Sequence, residues 1–181
     1  MGGVGEGAAG RRGRRLLAVT RVLIGVIFLF GFLDKTFGLT YFTPRGEGWV
    51  DGGSPTRGYL GDVAAGPFQD TFNSWAGDAW ADWSFMAGLL GVGLAVTFGF
   101  ALRVAAVGGT VMMALMWAAV WPPDRTLADG APSMSANPLV EYHVIYAAVL
   151  IVVAYFGAGE TWGLARAWRR LPVVRGLRWL H

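Results

Sequence analysis

The residues best able to do chemistry in this chain gather near position 140. In Asn137-Pro-Leu-Val-Glu-Tyr-His-Val-Ile-Tyr146, helical spacing puts His143 on the same face as Tyr146. A neutral imidazole gives or takes a proton near physiological pH, and beside a tyrosine hydroxyl it could hydrogen-bond a quinone carbonyl between apolar walls. His143, Glu141 and Lys35 are therefore the candidate catalytic residues, and His143, Tyr146 and Trp117 the candidate quinone contacts. On an ideal helix Glu141 and His143 lie about 160° apart, so both face one bundle only if the turn after Pro138 is irregular. No metal site is expected, because His181 is the only other histidine and sits at the far end of the chain. The absence of cysteine removes disulfides and thiol chemistry.

The elements that must hold these groups are apolar. Of 181 residues 54% are hydrophobic and 15% charged, an unusual balance for a soluble domain. Four nearly uncharged stretches, 16–33, 83–102, 104–121 and 139–159, each approach the roughly 20 residues that cross a hydrocarbon core. The pattern predicts an all-α membrane protein, a four-transmembrane-helix up-and-down bundle with helices at 16–35, 83–102, 104–121 and 139–157. A long outer loop, 36–82, carries a short interfacial helix, since Phe68, Phe72 and Trp75 fall near helical spacing. Residues 1–15 form a basic N-terminus expected to be disordered, 16–164 the membrane domain, and 165–181 a basic interfacial tail broken at Pro172.

Charge sets the orientation. Apart from Lys35, Arg45, Arg57 and Arg125, every basic residue lies on the side of the two termini, and every acid except Glu6 and Glu160 lies on the other. The positive-inside rule then places both termini in the cytoplasm of a multi-pass protein. A signal peptide is the competing reading of 11–33, but no small-x-small cleavage site follows. The pI near 9.7 fits anionic lipid headgroups better than nucleic acid, because the basic clusters abut helix ends. Membrane lipid is the expected partner, with docking of a cytoplasmic protein on the tail as the alternative.

Helices one and four are short of apolar length. Val22 to Leu33 gives only about 18 Å of helix, and Val144 to Phe156 about 20 Å. Arg21 is expected to snorkel to the cytoplasmic interface. Asp34 is too short to do so and needs a partner. Asp34, Lys35, Asp82, Glu141 and His143 could converge on one outer site, with Asp34 and Asp82 as structural polar partners; alternatively, Lys35 simply neutralises Glu141 or Asp82. Ala87, Gly91, Ala95 and Gly99 form a small-residue stripe suited to close helix packing, and Trp83, Trp117 and Trp121 suit the outer interface.

Several ordered segments resemble one family. They are Gly31-Phe-Leu-Asp-Lys-Thr-Phe-Gly38, Gly52-Gly-Ser-Pro-Thr-Arg-Gly58, Asp82-Trp-Ser-Phe-Met-Ala-Gly-Leu-Leu90, the 137–146 segment and Gly157-Ala-Gly159. Over most of 16–164 the chain resembles the DoxX/DoxD family, in particular the actinobacterial branch labelled as a thiosulfate dehydrogenase (quinone) subunit. The resemblance implies a four-helix subunit of a bacterial cytoplasmic membrane that passes electrons from thiosulfate to quinone, with tetrathionate as product. It implies no covalently bound cofactor, menaquinone or another membrane quinone as acceptor, a small anionic substrate, and a second redox subunit as partner. Arg57 or Lys35 would attract the anion. A non-catalytic scaffold or assembly partner of a redox or stress-response complex is the alternative expectation.

Overall fold

The structure, a computed structural model, describes residues 3–127, 129–133, 135–177 and 179, with backbone alone for 3–9. Four longer helices dominate: α1 (Gly3–Phe37), α4 (Ala79–Phe98), α5 (Leu102–Val120) and α6 (Tyr142–Tyr155). Short helices α2 (Arg57–Gly61) and α3 (Gln69–Trp75) lie between α1 and α4, and α7 (Ala165–Trp168) and α8 (Pro172–Arg175) follow α6. Among the described residues there is no β-strand, only an isolated bridge between Thr126 and Pro132.

Helices α1, α4 and α5 are long and apolar enough to cross a membrane. The fourth predicted span is cut at both ends. Asn137 Oδ1 accepts the Leu139 and Val140 amides, holding that segment in a turn, and Gly157 adopts φ +60° just beyond the other end. What remains in α6 is 14 residues, about 21 Å of helix. At the N-terminus the described helix runs from Gly3 rather than from near residue 16, passing through Arg11, Arg12, Arg14 and Arg15, which are good helix formers, in spite of the glycines between Gly3 and Gly13.

The long helices close a ring, α1 packing on α4 and α6, and α5 on the same two. Phe28, Met86, Leu89, Val96, Met113 and Leu150 fill its centre. Close approach uses part of the expected stripe, with Ala95 buried and Gly99 against Arg21 and Gly159, and adds small residues outside it. A Cβ on Gly25 would lie 2.5 Å from the Thr97 backbone nitrogen, and one on Gly93 2.9 Å from the Leu29 nitrogen. Ala87 and Gly91 instead face outward, because four-residue spacing drifts around the helix.

Arg21 does not snorkel. Its side chain is 0% exposed, and its guanidinium donates to Val96 O at 3.2 Å, Thr97 O at 3.0 Å and Trp162 O at 3.0 Å. The cause is the end of α4, whose last carbonyls have no helical partner. Ala95 O accepts the Gly99 and Phe100 amides and Phe98 O accepts Leu164 N–H, while Arg21 takes the two between them. A cation at a helix C-terminus is also favoured by the helix dipole. Residues 38–78 cover the opposite, capped end of the bundle, pinned by Asp82, whose Oδ1 accepts Ser54 Oγ, Thr56 N and Thr56 Oγ1.

Candidate functional site

The five polar residues expected to converge do not form one cluster. Asp34 is fully buried and its two oxygens accept the Tyr41 and Phe42 amides at 3.1 and 3.0 Å, fixing the loop that leaves α1. Lys35 lies 5.8 Å from the centre of the Phe85 ring, and no ion pair joins it to Glu141 or Asp82 among the described residues. Asp82 serves the cap. Arg57 is exposed and lies against Gly77.

Glu141 and His143 do come together. Glu141 is the N-cap of α6, in extended geometry, so the ideal-helix angle does not apply to it. Its Oε2 accepts the His143 main-chain N–H at 3.1 Å and meets His143 Nδ1 at 2.5 Å. This satisfies an orphan amide of the helix start and fixes the ring. With Nδ1 carrying the proton toward Glu141, Nε2 is the lone-pair atom of a neutral ring. That atom is buried, without a hydrogen-bond partner among the described residues, in a side chain only 1% exposed. The ring beside His143 is that of Tyr142, 4.0 Å between centroids, with Tyr146 behind it at 5.6 Å from Tyr142. Trp117 Nε1 donates to Leu139 O at 3.1 Å and thereby ties α5 to the turn before α6.

A groove of about 270 Å³ runs between α4 and α5 beneath the cap. Phe72, Trp75 and Trp80 roof it, Val111, Met112 and Leu115 wall it, and Gly88 and Gly108 leave it room. His143, Tyr146 and Trp117 do not line it. Tyr59 does, and its hydroxyl donates to Met116 O at 3.1 Å. Burial pushes the Tyr59 phenol up, and the neighbouring Tyr142 phenol and Glu141 carboxylate push it the same way. Sequence reasoning missed it: its surroundings in the Gly-rich loop gave no sign of burial. Ser84 adds a second hydroxyl to the lining. Among the described residues no group of three His, Cys, Asp or Glu side chains is placed to hold a metal ion.

No protein-family model matches the chain, and no curated protein or solved structure matches it either.

Proposed function

We propose that the chain is a quinone-interacting integral membrane protein of the DoxX/DoxD kind. In this reading α1, α4, α5 and α6 all cross the bacterial cytoplasmic membrane, both termini are cytoplasmic, and residues 38–78 cap the outer face. The exposed apolar flanks Leu139, Val140 and Phe156 extend the reach of the short α6, and local bilayer thinning accommodates the rest. The observation that carries the quinone reading is the apolar groove lined by the Tyr59 phenol and Ser84, taken together with the Glu141–His143 pair at the start of α6. Such a groove suits a ring and isoprenoid chain entering from the lipid, with hydroxyls at one side to meet a carbonyl. Two thiosulfates would give one tetrathionate, and the two electrons released, with two protons, would convert quinone to quinol. Tyr59 and His143 would move the protons, while exposed Arg57 would draw the anion toward the cap.

The test is thiosulfate-dependent reduction of a menaquinone analogue by protein in nanodiscs. His143→Ala should slow turnover at least about 100-fold, the contribution expected of a positioned acid–base group. Gly108→Leu, at a position with no neighbouring atom within 4 Å, should fill the groove and abolish quinone binding without unfolding the bundle. Lack of reduction with and without co-purified partners would sink the activity, and undiminished binding in the leucine variant would sink the groove.

A non-catalytic scaffold is the second reading. What favours it is that Asp34, Asp82 and Arg21 are all taken up in structural bonds, while Tyr41 and Phe42, held by Asp34, stand 73% and 85% exposed. It predicts a co-purifying partner that is lost when both aromatics become alanine, with quinone binding absent throughout.

A further inference from the structure

The loop that follows α1 turns back along the helix. Gly38 leaves it at φ +62°, its amide still bonded to Asp34 O at 2.8 Å, and Thr40 follows at φ +71°, an angle a residue with a side chain rarely adopts unless held. Asp34 does the holding. Its two buried oxygens take the Tyr41 and Phe42 amides, and Thr43 O takes the Thr40 amide at 3.0 Å. The Tyr41 ring then packs edge-on against Phe30, 4.9 Å between centroids, well before the end of the helix at Phe37. We infer that Asp34 latches this loop so that Tyr41 and Phe42 insert among the acyl chains of the lipid leaflet at the capped end of the bundle.

Three observations support the assignment. The first is depth. Counted from Arg15, the last of the N-terminal arginine cluster, the roughly 20 residues that cross a hydrocarbon core end near Lys35. Phe30 then lies about 7 Å inside the core and the Tyr41 ring beside it, while Asp34 and the backbone it holds stay at the boundary. Beyond the aromatics the exposed residues turn charged, at Arg45 and Glu47, as suits headgroups and water.

The second is continuity. Val26, Phe30, Leu33 and Phe37 are exposed, and their spacing places them on one face of a helix long and apolar enough to cross a membrane. Tyr41 packs onto that face and extends it. Phe42, beside it, is the most exposed large hydrophobic side chain among the described residues. Lipid covers the stripe of a spanning helix, so lipid meets the loop that continues it. The third is the backbone. Where water is scarce, irregular chain must satisfy its amides internally, and Thr40, Tyr41 and Phe42 all do so. A loop in water could leave those amides to solvent and would not need a buried charge to accept them. The inference needs α1 to cross the membrane. It is independent of quinone chemistry, and it gives to lipid the two aromatics that the scaffold reading gives to a protein.

The chain has no cysteine, so a single introduced one carries a nitroxide label without background. Full-length Phe42→Cys and, separately, Glu47→Cys are labelled and placed in nanodiscs of phosphatidylcholine and phosphatidylglycerol. Power-saturation electron paramagnetic resonance then compares collisions with oxygen, which concentrates in hydrocarbon, and with a polar nickel chelate, which stays in water. The oxygen-to-chelate ratio should be at least about tenfold higher at position 42 than at 47, because a polar complex is excluded from hydrocarbon. Adding Asp34→Ala to Phe42→Cys should free the loop and lower the ratio toward that at 47. Asp34→Asn keeps one carbonyl acceptor and should lower it less. Equal ratios at 42 and 47 would put the loop in water and overturn the inference with Asp34 untouched. So would a label at 42 shielded from both reagents, the mark of a second copy or a co-purified protein seated on the loop. A ratio unmoved by Asp34→Ala would refute the latch.

Discussion

Replacing Arg21 with alanine tests the argument that this buried cation closes the end of α4. The guanidinium makes two bonds at 3.0 Å and one at 3.2 Å, all to carbonyls that otherwise lack a partner in the described structure. A hydrogen bond from a charged donor contributes about 1.5–3 kcal/mol net. Two such bonds at the low end, with a fraction for the longer one, give about 4 kcal/mol, within the roughly 3–5 kcal/mol seen when a buried charged arrangement loses one side. Arg21→Met keeps much of the volume but leaves the carbonyls bare, so it should cost about 2–3 kcal/mol. Arg21→Lys keeps a cation at the helix end and should cost about 1–2 kcal/mol. The assay is reversible unfolding in mixed micelles, followed by circular dichroism. An alanine variant within about 1 kcal/mol of the parent, or a methionine variant equal to it, would refute the hydrogen-bonding account and leave packing alone.

Gly93→Ala should destabilise by about 1–3 kcal/mol through overpacking against Leu29, whereas Gly91→Ala, with nothing within 4 Å, should stabilise by about 0.5–1 kcal/mol; thermal unfolding of the two compares directly. Asp82→Ala removes the acceptor of three bonds and should loosen the cap by about 2–3 kcal/mol, seen as faster amide exchange over residues 52–60 with α4 unchanged. The Tyr59 phenol is raised above its ordinary value of about 10, so its contribution to stability is full below that pH and is lost as pH rises through the folded value. Tyr59→Phe should accordingly flatten the alkaline fall in stability measured by denaturant titration. An unchanged slope would place Tyr59 nearer to water than the structure does.

Hydropathy is a local property, so three helices of membrane-spanning length were legible without any knowledge of packing. The small-residue stripe was legible only at its inner end, Ala95 and Gly99, because spacing alone cannot say which face of a helix meets a neighbour; Gly25 and Gly93 are chosen by the α1–α4 crossing. Arg21 was misread for a related reason. Its acceptors lie 75, 76 and 141 residues away, and nothing near it in sequence announces them. Of the candidate site, Glu141 and His143 were legible as residue types, but their pairing depends on Glu141 standing just outside the helix. The groove was half legible. Phe72 and Trp75 read as one face of a short helix, while the space beneath them exists because Gly88 and Gly108 lack side chains.

Helix ends explain why so many ionisable residues carry structure rather than chemistry. A bundle helix that ends early exposes orphan amides and carbonyls where water is scarce, and a charged side chain satisfies them more strongly than a neutral one. Arg21 does this for the end of α4, Glu141 for the start of α6, and Asp34 and Asp82 for the loops that meet α1 and α4. Each of these groups bonds backbone, and Asp82 also takes the Ser54 and Thr56 hydroxyls. His143 has a buried Nε2 with no partner among the described residues, as Arg21 has at Nε, but in His143 that atom is the ring's one lone-pair acceptor, Glu141 engaging Nδ1. Leaving such a nitrogen unpaired costs free energy that an apolar residue at 143 would not incur. Replacing His143 with phenylalanine should therefore leave the bundle as stable or more stable, even as it removes the proton-handling atom on which the proposed quinone chemistry depends. If instead that variant loses several kcal/mol of stability, the imidazole is held for the fold, and the scaffold reading gains the argument that the quinone reading loses.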